Sequence, residues 1–179
     1  MFSYELDTFS NIILIISLSA LLYALYIVYI ESTQPPIIFK LRNDLKKIKI
    51  DLVNMENPEK ELNDPDVLQL INRLNPDYLY TSDSTYTINK KYIYVCTKLD
   101  SNFSYEENYK IILFTILHEV GHIMTPSIGH DQNFWQNFGV LINHAKTLGL
   151  YDTPMEQILE NRDYNHCGLT IDKTYSPFS

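Results

Sequence analysis

His118-Glu119-Val120-Gly121-His122 is the stretch whose residue types and spacing can do chemistry. Residues four apart on a helix lie one turn above each other on the same face. Two imidazoles placed so can reach one ion at about 2.0–2.1 Å, the usual zinc–nitrogen distance. Glu119 projects about 100° further round the helix. It can hydrogen-bond a water beside the ion without ligating the ion itself. An ordinary helix with two surface histidines would carry the same string. Against that reading, the flanks are apolar, and a buried face does not carry His, Glu and His without a polar task.

Catalytic zinc takes three protein ligands and keeps one position for water. His130 is the expected third ligand: Gly129 lets the loop turn back, and the next helix fixes His130 near its start. The metzincin pattern fails, because it needs glycine and histidine where Thr125 and Ile128 stand. The alternative is a downstream carboxylate, Glu156 or Glu160, with His130 merely structural. His144 lies opposite the apolar stripe of its helix and reads as a surface residue. His166 or Cys167, if either reached the ion, would close the site or hold it latent. Otherwise Cys96 and Cys167 read as free thiols, since two distant cysteines make no disulfide framework.

The elements that must position these groups follow from local pattern. Ser104 and Glu107 form a capping box, and behind them an apolar helix runs through Ile111, Leu113, Phe114 and Leu117 to about Thr125-Pro126. A second helix is expected from about Asp131 to Leu148, with Phe134, Phe138, Leu141, Ile142 and Ala145 on its core face. Thr85–Ile88 and Tyr92–Thr97 read as strands joined at Asn89-Lys90-Lys91. Asp64-Pro65 opens a short helix carrying Val67, Leu70 and Leu74, and Pro154–Glu160 suggests a short last one. The fold class expected is α+β with a short antiparallel sheet.

Phe9 to Ile30 holds no Asp, Glu, Lys, Arg or Pro. As a helix it spans roughly 33 Å, enough for a bilayer core. A cleaved signal peptide would want a basic start, a shorter apolar stretch and a small-residue cleavage site. Here the start is acidic and the exit is Tyr29-Ile30-Glu31, so a retained transmembrane helix is expected. Lys40, Arg42, Lys46, Lys47 and Lys49 follow it, which by the positive-inside rule puts the C-terminal domain on the cytosolic side. These cations could also meet anionic lipid or form a plain solvated face. Ile37, Leu41, Leu45, Ile48, Leu52 and Met55 form one stripe, for packing by default, or for a stalk, dimer seam or adaptor surface. The layout is a tail (1–8), a transmembrane helix (9–30), a juxtamembrane linker with an amphipathic helix (31–60), and the domain (61–179). Net charge is −8, so nucleic acid is not an expected partner.

The chain resembles the small zincins that include SprT-like, YgjP-like and WLM-domain peptidases, the minigluzincins. The resemblance rests on Tyr92-Ile93-Tyr94-Val95, on His118 to His122, and on His130-Asp131-Gln132-Asn133-Phe134-Trp135. It is closer still to metallopeptidases predicted in large DNA viruses, from Thr85 through Ser127-Ile128-Gly129-His130 to Cys167-Gly168-Leu169-Thr170-Ile171. It covers roughly the second half of the chain and not the anchor. The gap from His122 to His130 is two residues longer than in the WLM and YgjP-like pattern. The resemblance implies a zincin-like domain in which His118, His122 and His130 hold one Zn2+ and Glu119 is the base. A peptide or protein substrate would then pair along Tyr92, Ile93, Tyr94 and Val95 as an edge strand. Tyr151, Tyr164 and His166 are the candidates for stabilising the oxyanion. The competing expectation is a non-catalytic membrane or virion structural protein, part of a membrane or virion assembly, with zinc serving structure.

Overall fold

In the computed structural model, residues 2–32, 34–54, 65–152, 155–159 and 163–171 are described. Its contacts divide the chain into Met1–Pro35 and Pro36–Ser179. The first unit is α1 (Phe2–Ser32). Its segment Phe9–Tyr29 is long and apolar enough to cross a membrane, and its side chains are exposed throughout.

The second unit begins with α2 (Pro36–Val53), where Pro36 takes the first helical position, the one place its missing N–H costs nothing. Ile37, Ile38, Leu41, Leu45, Ile48 and Leu52 are all buried in the core of the domain. The stripe is therefore a packing face; Met55 lies outside the described residues. The five cations of this helix are held by the domain's own groups. Lys40 sits 3.0 Å over the Tyr109 ring, and Arg42 Nη2 donates to the Leu79 carbonyl at 2.9 Å. Lys46 pairs with Asp77 at 3.0 Å, Lys47 with Asp44 at 2.7 Å, and Lys49 donates to the Leu74 carbonyl at 2.7 Å. The buried Asp44 also accepts the Tyr109 hydroxyl.

α3 (Pro65–Arg73) buries Val67 and Leu70; Asp64, expected as its cap, lies outside the described residues. A single 3-10 turn leads to β1 (Leu79–Thr81), followed by β2 (Tyr86–Ile88) and β3 (Tyr92–Val95). Asn89 and Lys90, both at positive φ (54° and 50°), make the tight hairpin turn between β2 and β3. The strand order is β1-β3-β2, with β1 parallel to β3 and β2 antiparallel to it. The antiparallel pair expected is present as β2 and β3, and the parallel β1 corrects the expectation that the sheet is antiparallel throughout. Leu79–Thr81 carries too short a pattern to announce itself, and its partner lies more than ten residues downstream. It also corrects the assignment of Tyr92–Val95 as an edge. That strand is central, paired on both sides, because its alternating Ile93 and Val95 face the core while Tyr94 stacks on Tyr86 at 5.0 Å.

α4 (Tyr105–Met124) starts at the capping box: Ser104 N–H donates to Glu107 Oε2 at 2.7 Å, and Glu107 N–H to Ser104 Oγ at 3.2 Å. It runs through the middle of the core, and α5 (Gln132–Thr147) packs across it through Phe134, Phe138 and Leu141. α6 (Met155–Ile158) and a hairpin of β4 (Tyr164–His166) with β5 (Leu169–Ile171) complete the domain. A disulfide joins Cys96, just past β3, to Cys167 in that hairpin. The free-thiol reading is thereby corrected. The two Cα atoms are 6.2 Å apart although 71 residues separate them, a proximity that only the folded chain creates.

Candidate metal centre

α4 carries His118 and His122 on one face, as a spacing of four requires. The loop after it returns His130 to the same place. Gly129 sits at φ 97°, a conformation that side-chain-bearing residues rarely adopt, and so reverses the chain there. The three imidazole centroids form a near-equilateral triangle: 5.0 Å for His118–His122, 4.8 Å for His118–His130 and 4.9 Å for His122–His130. One nitrogen from each ring lies within 4.8 Å of the other two, and His118 Nε2 and His130 Nε2 are 3.0 Å apart. Nitrogens bound tetrahedrally to one zinc at the usual bond length are separated by about 3.3 Å. The set fits a single cation of the kind imidazole prefers.

Exposure is graded across the triangle: His118 is buried, His122 half-buried and His130 exposed. The ligand face therefore opens to solvent on the His130 side. Burial lowers the pKa of all three rings. His118 falls to about 3 and His122 to about 4, helped by neighbouring imidazoles, and His130 falls by burial alone. All three are neutral at pH 7, as metal ligands must be.

Phe134 is the floor of the site. Its ring lies 4.9, 4.5 and 4.6 Å from the centroids of His118, His122 and His130. Asp131 caps α5 by accepting the Phe134 N–H at 2.9 Å, which fixes where that ring enters. A Cβ at position 121 would lie 3.0 Å from Phe134 Cε2, so Gly121 is what lets the ring approach α4 this closely.

Glu119 follows His118 on α4 and meets Thr87 of β2. Thr87 Oγ1 donates to the Glu119 carbonyl at 3.3 Å. Burial raises the pKa of its carboxyl, and hydrogen bonds from the Thr87 side chain and backbone pull it partly back. Among the described residues β2 pairs only with β3, so its outer edge is free.

Sequence reasoning missed Lys90. From the hairpin turn its Nζ donates to the carbonyls of Thr125, Pro126 (2.7 Å) and Ser127 (2.8 Å), and so clamps the loop that leads to His130. A lysine in a β-turn carries no signal of this, because its acceptors lie 35–37 residues away. Gln69 in α3 does a similar task, donating to the Ile123 and Met124 carbonyls at 2.9 and 3.0 Å.

The other candidates lie elsewhere. His144 is no free surface residue, since its Nδ1 meets Asp51 Oδ2 at 2.6 Å and ties α5 to α2. Tyr151 stacks on Phe114, Tyr164 donates to Asp100 at 3.0 Å, and His166 donates to the Cys96 carbonyl. Neither His166 nor Cys167 joins the three-histidine group. The Glu156 side chain and Glu160 lie outside the described residues.

Two viral proteins are similar to the chain. The uncharacterized protein 136R of Invertebrate iridescent virus 6 is 38% identical over 78 residues, 41% of this chain and 42% of that protein. The uncharacterized protein 042R of Invertebrate iridescent virus 3 is 34% identical over 113 residues, 63% of each chain. The chain thus spans about two fifths of the first relative's length and under two thirds of the second's. No family model and no solved structure matches it.

Proposed function

We propose that the chain is a membrane-anchored, zinc-dependent peptidase with a zincin-like domain of the minigluzincin type. The single observation that carries this reading is the convergence of His118, His122 and His130, graded from buried at His118 to exposed at His130. His118, His122 and His130 would hold the ion, and a zinc bound there supplies Lewis acidity toward a water and a peptide carbonyl. Three protein ligands leave a position free, which suits a catalytic site better than a closed structural one.

Glu119 takes the proton from the attacking water at its carboxylate and passes it to the leaving amine. Burial, by raising its pKa, makes it a stronger base than a solvated glutamate. Phe134 and Gly121 keep the imidazoles packed and exclude water from beneath them. An extended substrate pairs along the free edge of β2 (Tyr86–Ile88), whose Thr87 touches Glu119. The relatives' viral origin supports a viral setting, and the length and apolarity of Phe9–Tyr29 support a membrane anchor. We place the domain on the cytosolic side from Lys40 to Lys49.

Glu119→Gln tests this. The detergent-solubilised variant should keep one zinc per chain by metal analysis and lose peptide cleavage by at least about 10²-fold. Full cleavage by Glu119→Gln would end the assignment. Zinc retention with no cleavage in either chain would leave the non-catalytic structural role.

A further inference from the structure

Cys96, His166 and Cys167 form a second group of metal-type ligands, apart from the three histidines. Their ligand atoms lie within 4.8 Å of one another; Cys96 and His166 are buried and Cys167 half-buried. Cys96 arrives at the end of β3, and the β4–β5 hairpin delivers the other two. Cys167 (φ 51°) and Gly168 (φ 93°) make its turn, pinned where Asn165 Oδ1 accepts the Gly168 N–H at 2.9 Å.

One nitrogen of the His166 ring is tied to a backbone carbonyl. Its Nε2 lies 3.2 Å from the Cys96 carbonyl, which can only accept, so Nε2 carries the proton. A neutral ring then keeps its lone pair on Nδ1, with a backbone carbonyl fixing the tautomer from behind. The group borders a cavity of about 570 Å³ lined by Lys98, Asp100, Tyr164 and Asn165 besides His166 and Cys167. A reductant and a metal ion can both approach from there.

The two sulfurs are bonded to each other in the structure. On the cytosolic side of a membrane, where the anchor and its basic flank would place them, thiols stay reduced. We propose that Cys96, Cys167 and His166 are a redox-gated zinc site, closed to metal as the disulfide and holding one Zn2+ when reduced. A dithiol reductant supplies two electrons and two protons. The S–S bond breaks, two thiols form, and the reductant closes to its own disulfide. Metal binding then displaces both thiol protons to water, leaving two thiolates and one imidazole as ligands. Two cysteines and a histidine are a donor set zinc takes with a fourth position left over. Tetrahedral Zn–S bonds set the sulfurs about 3.8 Å apart, which a Cα separation of 6.2 Å accommodates by side-chain rotation. The C-terminal hairpin is thus fastened to the end of β3 in either redox state, covalently in one and through metal in the other.

Cobalt separates this site from the histidine centre, because only thiolates give a sulfur-to-cobalt charge-transfer band. The full chain in detergent, stripped of metal, is titrated with Co2+ as the disulfide and again after reduction by a phosphine. The reduced chain should bind one more Co2+ than the oxidised chain and show the band. The band should persist in the double variant His118→Ala, His122→Ala and vanish in Cys167→Ser. Should Cys167→Ser fail to fold, His166→Ala keeps both thiols and should weaken the extra Co2+ by more than about tenfold. A reduced chain with no band, or an extra Co2+ that His166→Ala leaves unchanged, overturns the proposal. Loss of histidine-dependent metal alone would overturn the peptidase reading and leave this one standing.

Discussion

Two helices of this protein are long and apolar, and they solve opposite problems. From Phe9 to Tyr29, α1 has no charged residue and every side chain is exposed. From Asn108 to Met124, α4 is buried on all sides except at His122, yet it carries Asn108, Lys110, Thr115, His118 and Glu119. The difference lies in what surrounds each. Asn108 donates to the carbonyls of Asp100, Phe103 and Ser104, and Lys110 meets Asp152 at 2.6 Å. Thr115 donates to the Ile112 carbonyl of its own helix, as Ser19 of α1 does to Ile15. A helix packed in protein can hold polar groups because neighbours satisfy them; lipid offers no such partners. Apolar length alone does not tell the two apart, whereas polar residues paired outside their own helix, such as Asn108 and Lys110, do.

The sharpest way to break this contrast is to put the same charge in both helices. Ile116→Lys places an unpaired ammonium at a fully buried position and should cost more than about 4 kcal/mol, enough to unfold the domain. Ile16→Lys at the middle of α1 should leave the domain's thermal transition where it was and, on the proposed anchoring, reduce membrane insertion at a cost of about 2.5–3.5 kcal/mol. Circular dichroism and membrane fractionation read the two outcomes; a destabilised domain in Ile16→Lys would remove the distinction.

Acidity probes the polar load of α4 next. Burial holds His118 at about 3 and His122 at about 4 in the fold, below the ordinary value near 6.5. As pH falls, the unfolded chain therefore takes up protons before the folded one does. Stability of the metal-free chain is full above about pH 6.5 and declines toward pH 4, by up to about 1.4 kcal/mol per pH unit from His118 alone. Urea midpoints at several pH values should trace that decline, and a flat profile would contradict the burial of these rings.

The smallest effect comes from a single methyl group. In Gly121→Ala the added carbon meets Phe134 at 3.0 Å. Up to about 1 kcal/mol gained in helix propensity offsets much of the overpacking. Stability should fall by no more than about 1 kcal/mol, while zinc affinity at the proposed three-histidine site drops about tenfold as Phe134 shifts under the imidazoles. Calorimetric titration with zinc measures it. Ala20→Leu in α1, a larger change at an exposed position, should leave zinc affinity untouched.

Much of the site was legible because its signals are local. The interval between His118 and His122 sets one helix face, and Ser104 with Glu107 fixes where that helix starts. Gly129 foretold the turn that returns His130. Residues whose partners are distant gave no such sign. Lys90 reaches across to Thr125–Ser127, and Leu79–Thr81 finds a parallel partner in β3. Cys167 finds Cys96 from 71 residues away.

By itself the sequence determined periodicity and caps: which segments are helical, which face of α2 is apolar, and that two histidines share one side of α4. These depend on backbone geometry over four or five residues, which composition controls directly. Only the tertiary structure decided that Tyr92–Val95 is the centre of its sheet, that the cations of α2 are consumed within the domain, and that two cysteines meet. Such contacts depend on which surfaces come together when the core closes. That arrangement belongs to the whole chain at once, and no short stretch of it carries the information.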